Sequence, residues 1–130
     1  MSIEAARQAI EGYLASNWTS TNICYQGVDP ADLLTDLDEF IFVDVAPAWV
    51  NTRSIADGPQ SRYFFIIQVD IYVPVNTGTA TANGYADSLV TMFVGKSIDN
   101  VLIRRLGNVY RRNEDSRFRM TLLFHAQMDS

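Results

Sequence analysis

Residues 62–74 read Arg62-Tyr-Phe-Phe-Ile-Ile-Gln-Val-Asp-Ile-Tyr-Val-Pro74. Tyr63, Phe65, Ile67, Val69, Ile71 and Val73 fall on one side of an extended chain, where side chains alternate with a period of two. That side is apolar throughout and predicts a core face. The other side carries Phe64, Ile66, Gln68, Asp70 and Tyr72, so it changes from apolar to polar halfway along. A strand of this kind needs a layer against its apolar face, and the flanking sequence supplies one.

Downstream, Pro74 and Gly78 end the strand, and Thr79 or Thr81 can cap a helix with Ala82, Tyr85, Ala86, Leu89, Met92 and Phe93 on one side, stopped by Gly95. The Asn83-Gly84 pair predicts a start later than this periodicity suggests. Upstream, residues 39–45 are β-branched and aromatic, a strand that Pro47 should stop. Residues 46–61 contain Pro47, Asn51, Asp57, Gly58 and Pro59 and read as a long connection. Residues 22–25 suit a short strand, and residues 27–38, with Asp29, Asp32, Asp36 and Asp38, a solvated acidic loop.

At the start of the chain, Ile3, Ala6, Ile10, Tyr13 and Leu14 recur at helical spacing, with Glu4 in the first turn and an end near residues 15–17. Residues 101–106 form another apolar run, followed by a polar segment at residues 107–117. Phe118, Met120, Leu122, Phe124 and Ala126 then alternate with Arg119, Thr121, Leu123, His125 and Gln127, a closing strand. The order of helix, strands, helix, strands lacks βαβ spacing. It predicts an α+β fold, a largely antiparallel β-sheet packed against two α-helices in a single domain over residues 1–130.

The 130 residues are 48% hydrophobic and 19% charged, enough for one core without metal or disulfide staples. No apolar run is long enough to span a membrane, because Gln68 and Asp70 break the strongest one. Residues 1–5 lack the basic start and apolar stretch of a secretion signal, which leads to the expectation of a cytoplasmic protein. The single Cys24 cannot form an internal disulfide.

Fifteen acids against ten bases give a net charge of -5, which argues against dedicated nucleic-acid binding. The distribution is uneven. Residues 1–99 carry four bases and twelve acids, whereas residues 100–130 carry Arg104, Arg105, Arg111, Arg112, Arg117 and Arg119 against three acids. The two parts can pair within one molecule or between copies. Nine of the ten bases are arginine, the residue suited to bidentate contacts at interfaces.

Chemistry finds little to work with. Cys24 and His125 are the only thiol dyad available, every serine triad would have to share His125, and no Gly-x-Ser-x-Gly elbow is present. One His and one Cys do not make a usual zinc site, and the aspartates of residues 29–38 do not follow the calcium-loop order. Residues 78–84 precede a helix but lack the Gly-Lys-Ser/Thr ending of a phosphate loop. No catalytic residue, metal or cofactor is therefore assigned, and the chain is expected not to be an enzyme. Asp44 and Asp70 sit inside apolar strands, where a charge must be paired or exposed. They are buried charge-pair candidates, accepting from arginines such as Arg104 or Arg119. Alternatively they form a shared-proton carboxylate pair in a small ligand-binding domain or enzyme, with His125 nearby.

The strand Gln68-Val-Asp-Ile-Tyr-Val-Pro74, the helix ending Ala86-Asp87-Ser-Leu-Val-Thr-Met-Phe93 and the aromatic closing strand at residues 118–126 together resemble the tail terminator, or tail completion, proteins of long-tailed bacteriophages. An N-terminal helix beginning Ile3-Glu-Ala-Ala-Arg7 and a strand before a long loop fit the same order, so the resemblance covers most of the chain. It departs in the acidic residues 27–39 and in Asn83-Gly84. The resemblance implies a virion structural protein at the head-proximal end of the tail, assembled in the host cytoplasm. Its subunits would close into a homo-hexameric ring that caps the tail tube protein, stops polymerisation and meets a neck or head-completion protein. DNA would pass through without specific binding. On this reading the six arginines named above are subunit-interface or pore candidates, and residues 46–61 reach a neighbour or the tube. Another neck or head-completion protein is the nearest alternative.

Overall fold

The computed structural model describes residues 3–25, 39–55, 58–74, 79–114 and 117–129. The elements are α1 (Ile3–Asn17), β1 (Asn22–Tyr25), β2 (Phe40–Ile55), β3 (Gly58–Pro74), α2 (Thr79–Phe93), β4 (Ser97–Ile98), β5 (Val101–Glu114) and β6 (Arg117–Asp129). Six strands form one sheet in the order β1-β2-β3-β6-β5-β4. All pairs are antiparallel except β1 with β2, so the sheet is mixed, and it curls into a half-barrel. The α+β architecture with two helices and a mostly antiparallel sheet agrees with the sequence reading.

The apolar face of residues 62–74 is the core. Phe65, Ile67, Val69, Ile71 and Val73 pack with Ile41, Val43 and Val45 of β2 and with Met120, Leu122, Phe124, Ala126 and Met128 of β6. Helix α1 covers this face with Ala6, Ile10 and Leu14, and α2 covers it with Ala82, Leu89 and Phe93. Phe93 meets Phe124 edge-on at 5.2 Å between ring centroids. The Tyr13 hydroxyl of α1 donates to the Met92 carbonyl of α2 at 2.9 Å, and in the connection from α1 to β1 the Trp18 indole N–H donates to Thr21 Oγ1 at 2.8 Å. On its solvent side Arg7 bridges Glu4 and Glu11.

Three expectations are corrected. Residues 46–61 are not a long connection: β2 runs on to Ile55 and β3 begins at Gly58, with paired positions from Trp49↔Phe64 to Ile55↔Gly58. The prolines are accommodated because Pro47 lies at a register shift and Pro59 precedes the point, at Arg62, where β6 joins the other side of β3. Residues 107–117 are likewise not a polar connection, since β5 continues to Glu114 and β6 starts at Arg117. Residues 108–113 of β5 are exposed on both faces, which accounts for the polarity of this stretch. Finally, α2 starts at Thr79 and runs through Asn83-Gly84, both of which are exposed, with open space beside Gly84. Gly95, at φ +80, then turns the chain out of the helix, as its sequence position predicts. The acidic residues 27–38 lie outside the described residues.

Candidate functional site

The six arginines fall on two adjacent strands, β5 towards one edge of the sheet and β6 at its middle. Arg104, Arg105, Arg111 and Arg112 belong to β5 and are exposed, while Arg117 and Arg119 belong to β6. Arg112 lies directly opposite Arg119, and Arg117 opposite Glu114. Arg104 donates to Gln127 Oε1 at 3.3 Å. The basic end of the chain is thus gathered on these two strands.

Strand β5 is distorted twice, with register shifts between Ile103 and Arg105 and between Leu106 and Asn108. Gly107 sits at the second. A Cβ there would lie 2.2 Å from His125 Nε2 and 2.5 Å from His125 Cδ2, so the imidazole fills the space that a side chain would need. A small cavity of about 120 Å³ beside this contact is lined by Phe64, Phe65, Arg104, Arg105, His125 and Ala126.

Asp44 and Asp70 share the sheet face that the helices leave uncovered, because Asp44 pairs with Gln68 and Asp70 with Phe42 in the β2–β3 register. This face also holds Phe40 stacked on Tyr72 at 4.6 Å. Asp70 is buried, at 4% exposure, and accepts from Thr121 Oγ1 at 2.5 Å and from Gln68 Nε2 at 3.1 Å. Asp44 is half-buried, and its Oδ1 has no hydrogen-bond partner among the described residues. Burial first, and then the charge of Asp70, push the Asp44 carboxyl above the usual carboxylate range. The two aspartates are therefore unequal: one is well hydrogen-bonded, and the other has a carboxylate oxygen without a partner among the described residues. Thr121 and Gln68 escaped the sequence reading because both are ordinary polar residues on an alternating face, and only the register identifies them as donors.

Cys24 and His125 lie on β1 and β6, with β2 and β3 between them, which does not bring thiol and imidazole together. Burial raises the thiol's pKa and so reduces its thiolate character. Among the described residues no group of three or more His, Cys, Asp or Glu side chains is arranged to hold a metal ion. No helix among them is long and apolar enough to cross a membrane.

Comparison with known proteins extends the fold beyond this chain. One solved structure superposes with a TM-score of 0.68 at 18% identity, covering 98% of this chain and 96% of the other. A chain from the virion of a native gene transfer agent particle superposes with a TM-score of 0.57 at 21% identity, covering 95% of this chain and 94% of its own. At these identities the likeness is one of fold. No family model matches the chain, and no curated protein does.

Proposed function

We propose that this protein is a virion structural protein of a tailed phage or phage-like particle, and within that class a tail terminator. Its subunits close into a ring, a hexamer by the family resemblance, that caps the head-proximal end of the tail tube. The cap stops growth of the tube and presents a surface to a neck or head-completion protein. The carrying observation is the near end-to-end likeness to a chain of a gene transfer agent virion, in which neither chain has a large part left over. The order of strand and helix motifs in the sequence points the same way.

The geometry is compatible with such a role. A ring needs two different patches on each subunit, and exposed arginines on one flank of a predominantly acidic protein provide an asymmetric surface. The paired residues 52–55 and 58–61 extend β2 and β3 beyond the end of β6, whose last paired residue, Asp129, lies opposite Arg62. This extension takes the place of the expected loop as the element that reaches a neighbour or the tube. An acidic subunit holds transiting DNA weakly, as a conduit should. Assembly takes place in the host cytoplasm, and the finished location is the virion.

The test is addition of the purified protein to polymerising tail-tube protein from the same particle, with tube ends viewed by electron microscopy. Tubes of arrested length bearing a terminal ring support the terminator. Unaltered tube growth together with binding to the head portal moves the protein to the neck.

A further inference from the structure

We infer that the outer edge of β5, residues 108–114, is a docking strand that pairs with the β1 side of a second copy of this chain. The short β4 covers β5 only at Val101 and Leu102, and the backbone of Gly95 and Lys96 satisfies Ile103 at 2.9 Å on each bond. From residue 104 onward no strand pairs with the outer side of β5 among the described residues. An open edge presents unpaired N–H and C=O groups to any extended chain. Both distortions of β5 lie before Asn108, and from there to Glu114 its register with β6 is regular, so this stretch presents an undistorted edge.

The side chains support the same use. Val109 and Tyr110, on opposite faces of the strand, are 45% and 56% exposed, unusual for large apolar groups in a sheet. On the helix side, a groove of about 390 Å³ opens between α2 and β5, with Ala86, Val90, Leu106, Val109, Met120 and Leu122 among its lining. A strand added beyond β5 would extend this layer and cover the groove's open flank, the geometry of strand addition.

Charge selects the occupant. Arg104, Arg105, Arg111 and Arg112 make the β5 side basic, so two β5 edges facing each other would set arginine against arginine. The opposite edge of the same sheet is β1, within the acidic part of the chain. Glu11 of α1, which also pairs with Arg7, lies beside it, close enough that its charge adds to burial in raising the Tyr25 hydroxyl pKa, and with Glu4 it leaves this end of α1 net negative. Joining β5 of one copy to β1 of the next is a head-to-tail contact, which closes a ring when the rotation permits. The inference rests on the ring reading for why copies meet, and adds which edges meet.

The experiment uses two full-length variants, each checked by circular dichroism for native fold. Arg111→Glu/Arg112→Glu spoils the β5 side, and Glu11→Arg/Tyr25→Arg spoils the β1 side. Native mass spectrometry of each alone should show self-association weakened roughly tenfold or more. Mixing them should restore assembly, because the intact edges of the two variants fit each other and the two reversed edges are again opposite in charge. Amides of residues 108–114 should exchange hydrogen more slowly in the assembled wild type than in the dilute monomer. An assembled wild type whose exchange at residues 108–114 is unchanged overturns the edge contact while leaving the ring reading standing. A β1-side variant that assembles like wild type also overturns it, and a wild type that stays monomeric at every concentration and at tube ends overturns both.

Discussion

Thr121 on β6 donates its hydroxyl to Asp70 on β3 across the centre of the sheet, Oγ1 to Oδ1 at 2.5 Å, and both residues are buried. This bond, with Gln68, is what lets a carboxylate sit inside an apolar strand. Removing the hydroxyl by Thr121→Val leaves that oxygen without its donor, a loss of about 1–3 kcal/mol. Urea unfolding should show the drop. Asp70→Asn in the Thr121→Val background should recover part of it, because the charge is then gone.

Gly107→Ala should destabilise the protein by about 1–3 kcal/mol, since the new methyl displaces the His125 ring from its seat against the strand. In a His125→Ala background the same change should cost much less. The difference between the two costs, read from a thermal-denaturation cycle, isolates the contact.

Asp44 supplies a pH dependence whose sign is fixed. Its carboxyl pKa is raised in the folded state by burial and by Asp70, so ionisation is easier in the unfolded chain. The penalty is fully present above the folded pKa and vanishes as pH falls below the unfolded value. Asp44→Asn should therefore melt higher than wild type at about pH 8, with the gain shrinking toward about pH 4. A gain that grows on acidification would contradict the burial argument.

Phe93→Ala removes a fully buried ring at the meeting of α1, α2 and the sheet, where it touches Phe124 at 5.2 Å and Tyr13 at 6.0 Å between centroids. The expected loss is about 3–5 kcal/mol, a large share of the stability of a domain this size. By contrast Arg7→Ala, which breaks an exposed clamp on Glu4 and Glu11, should lower the melting temperature only slightly, and less still in high salt.

Cys24 is 1% exposed and its thiol is pushed up by burial. A thiol reagent should label it at the rate at which the sheet edge opens, and much faster in denaturant. Rapid labelling of the folded protein would show that β1 detaches readily from β2.

What could be read from the sequence follows where burial is one-sided. In β3 and β6 one face lies under two helices, so alternation at Tyr63–Val73 and Phe118–Ala126 is strong and the strands are visible. In the far half of β5, Asn108, Val109, Tyr110, Arg111 and Arg112 are exposed on both faces, so burial imposes no period. The turn-forming residues of positions 47–59 signalled a loop, yet at the free end of a hairpin prolines cost the ladder little. The parallel pairing of β1, the two-residue β4 and the Asp70–Thr121 bond depend on chain segments meeting from afar, which local pattern does not encode. The arginines were visible as a cluster in sequence, but the division between β5, with four of them, and the interior strand β6, with two, was not. Gly107 was the available signal, since a glycine inside a strand commonly marks a bulge or a close approach.

The two strands at the middle of the sheet, β3 and β6, come from residues 58–74 and 117–129, so the central seam joins the middle of the chain to its far end. During synthesis, α1, β1, β2 and β3 emerge first and have no β6 to lean on, while α2 has only part of its floor. The core therefore cannot close until β6 has joined β3, a pairing of distant chain segments that is slow to form. Until then the apolar side of β3 is only partly covered, and its exposed surface is open to association with other chains.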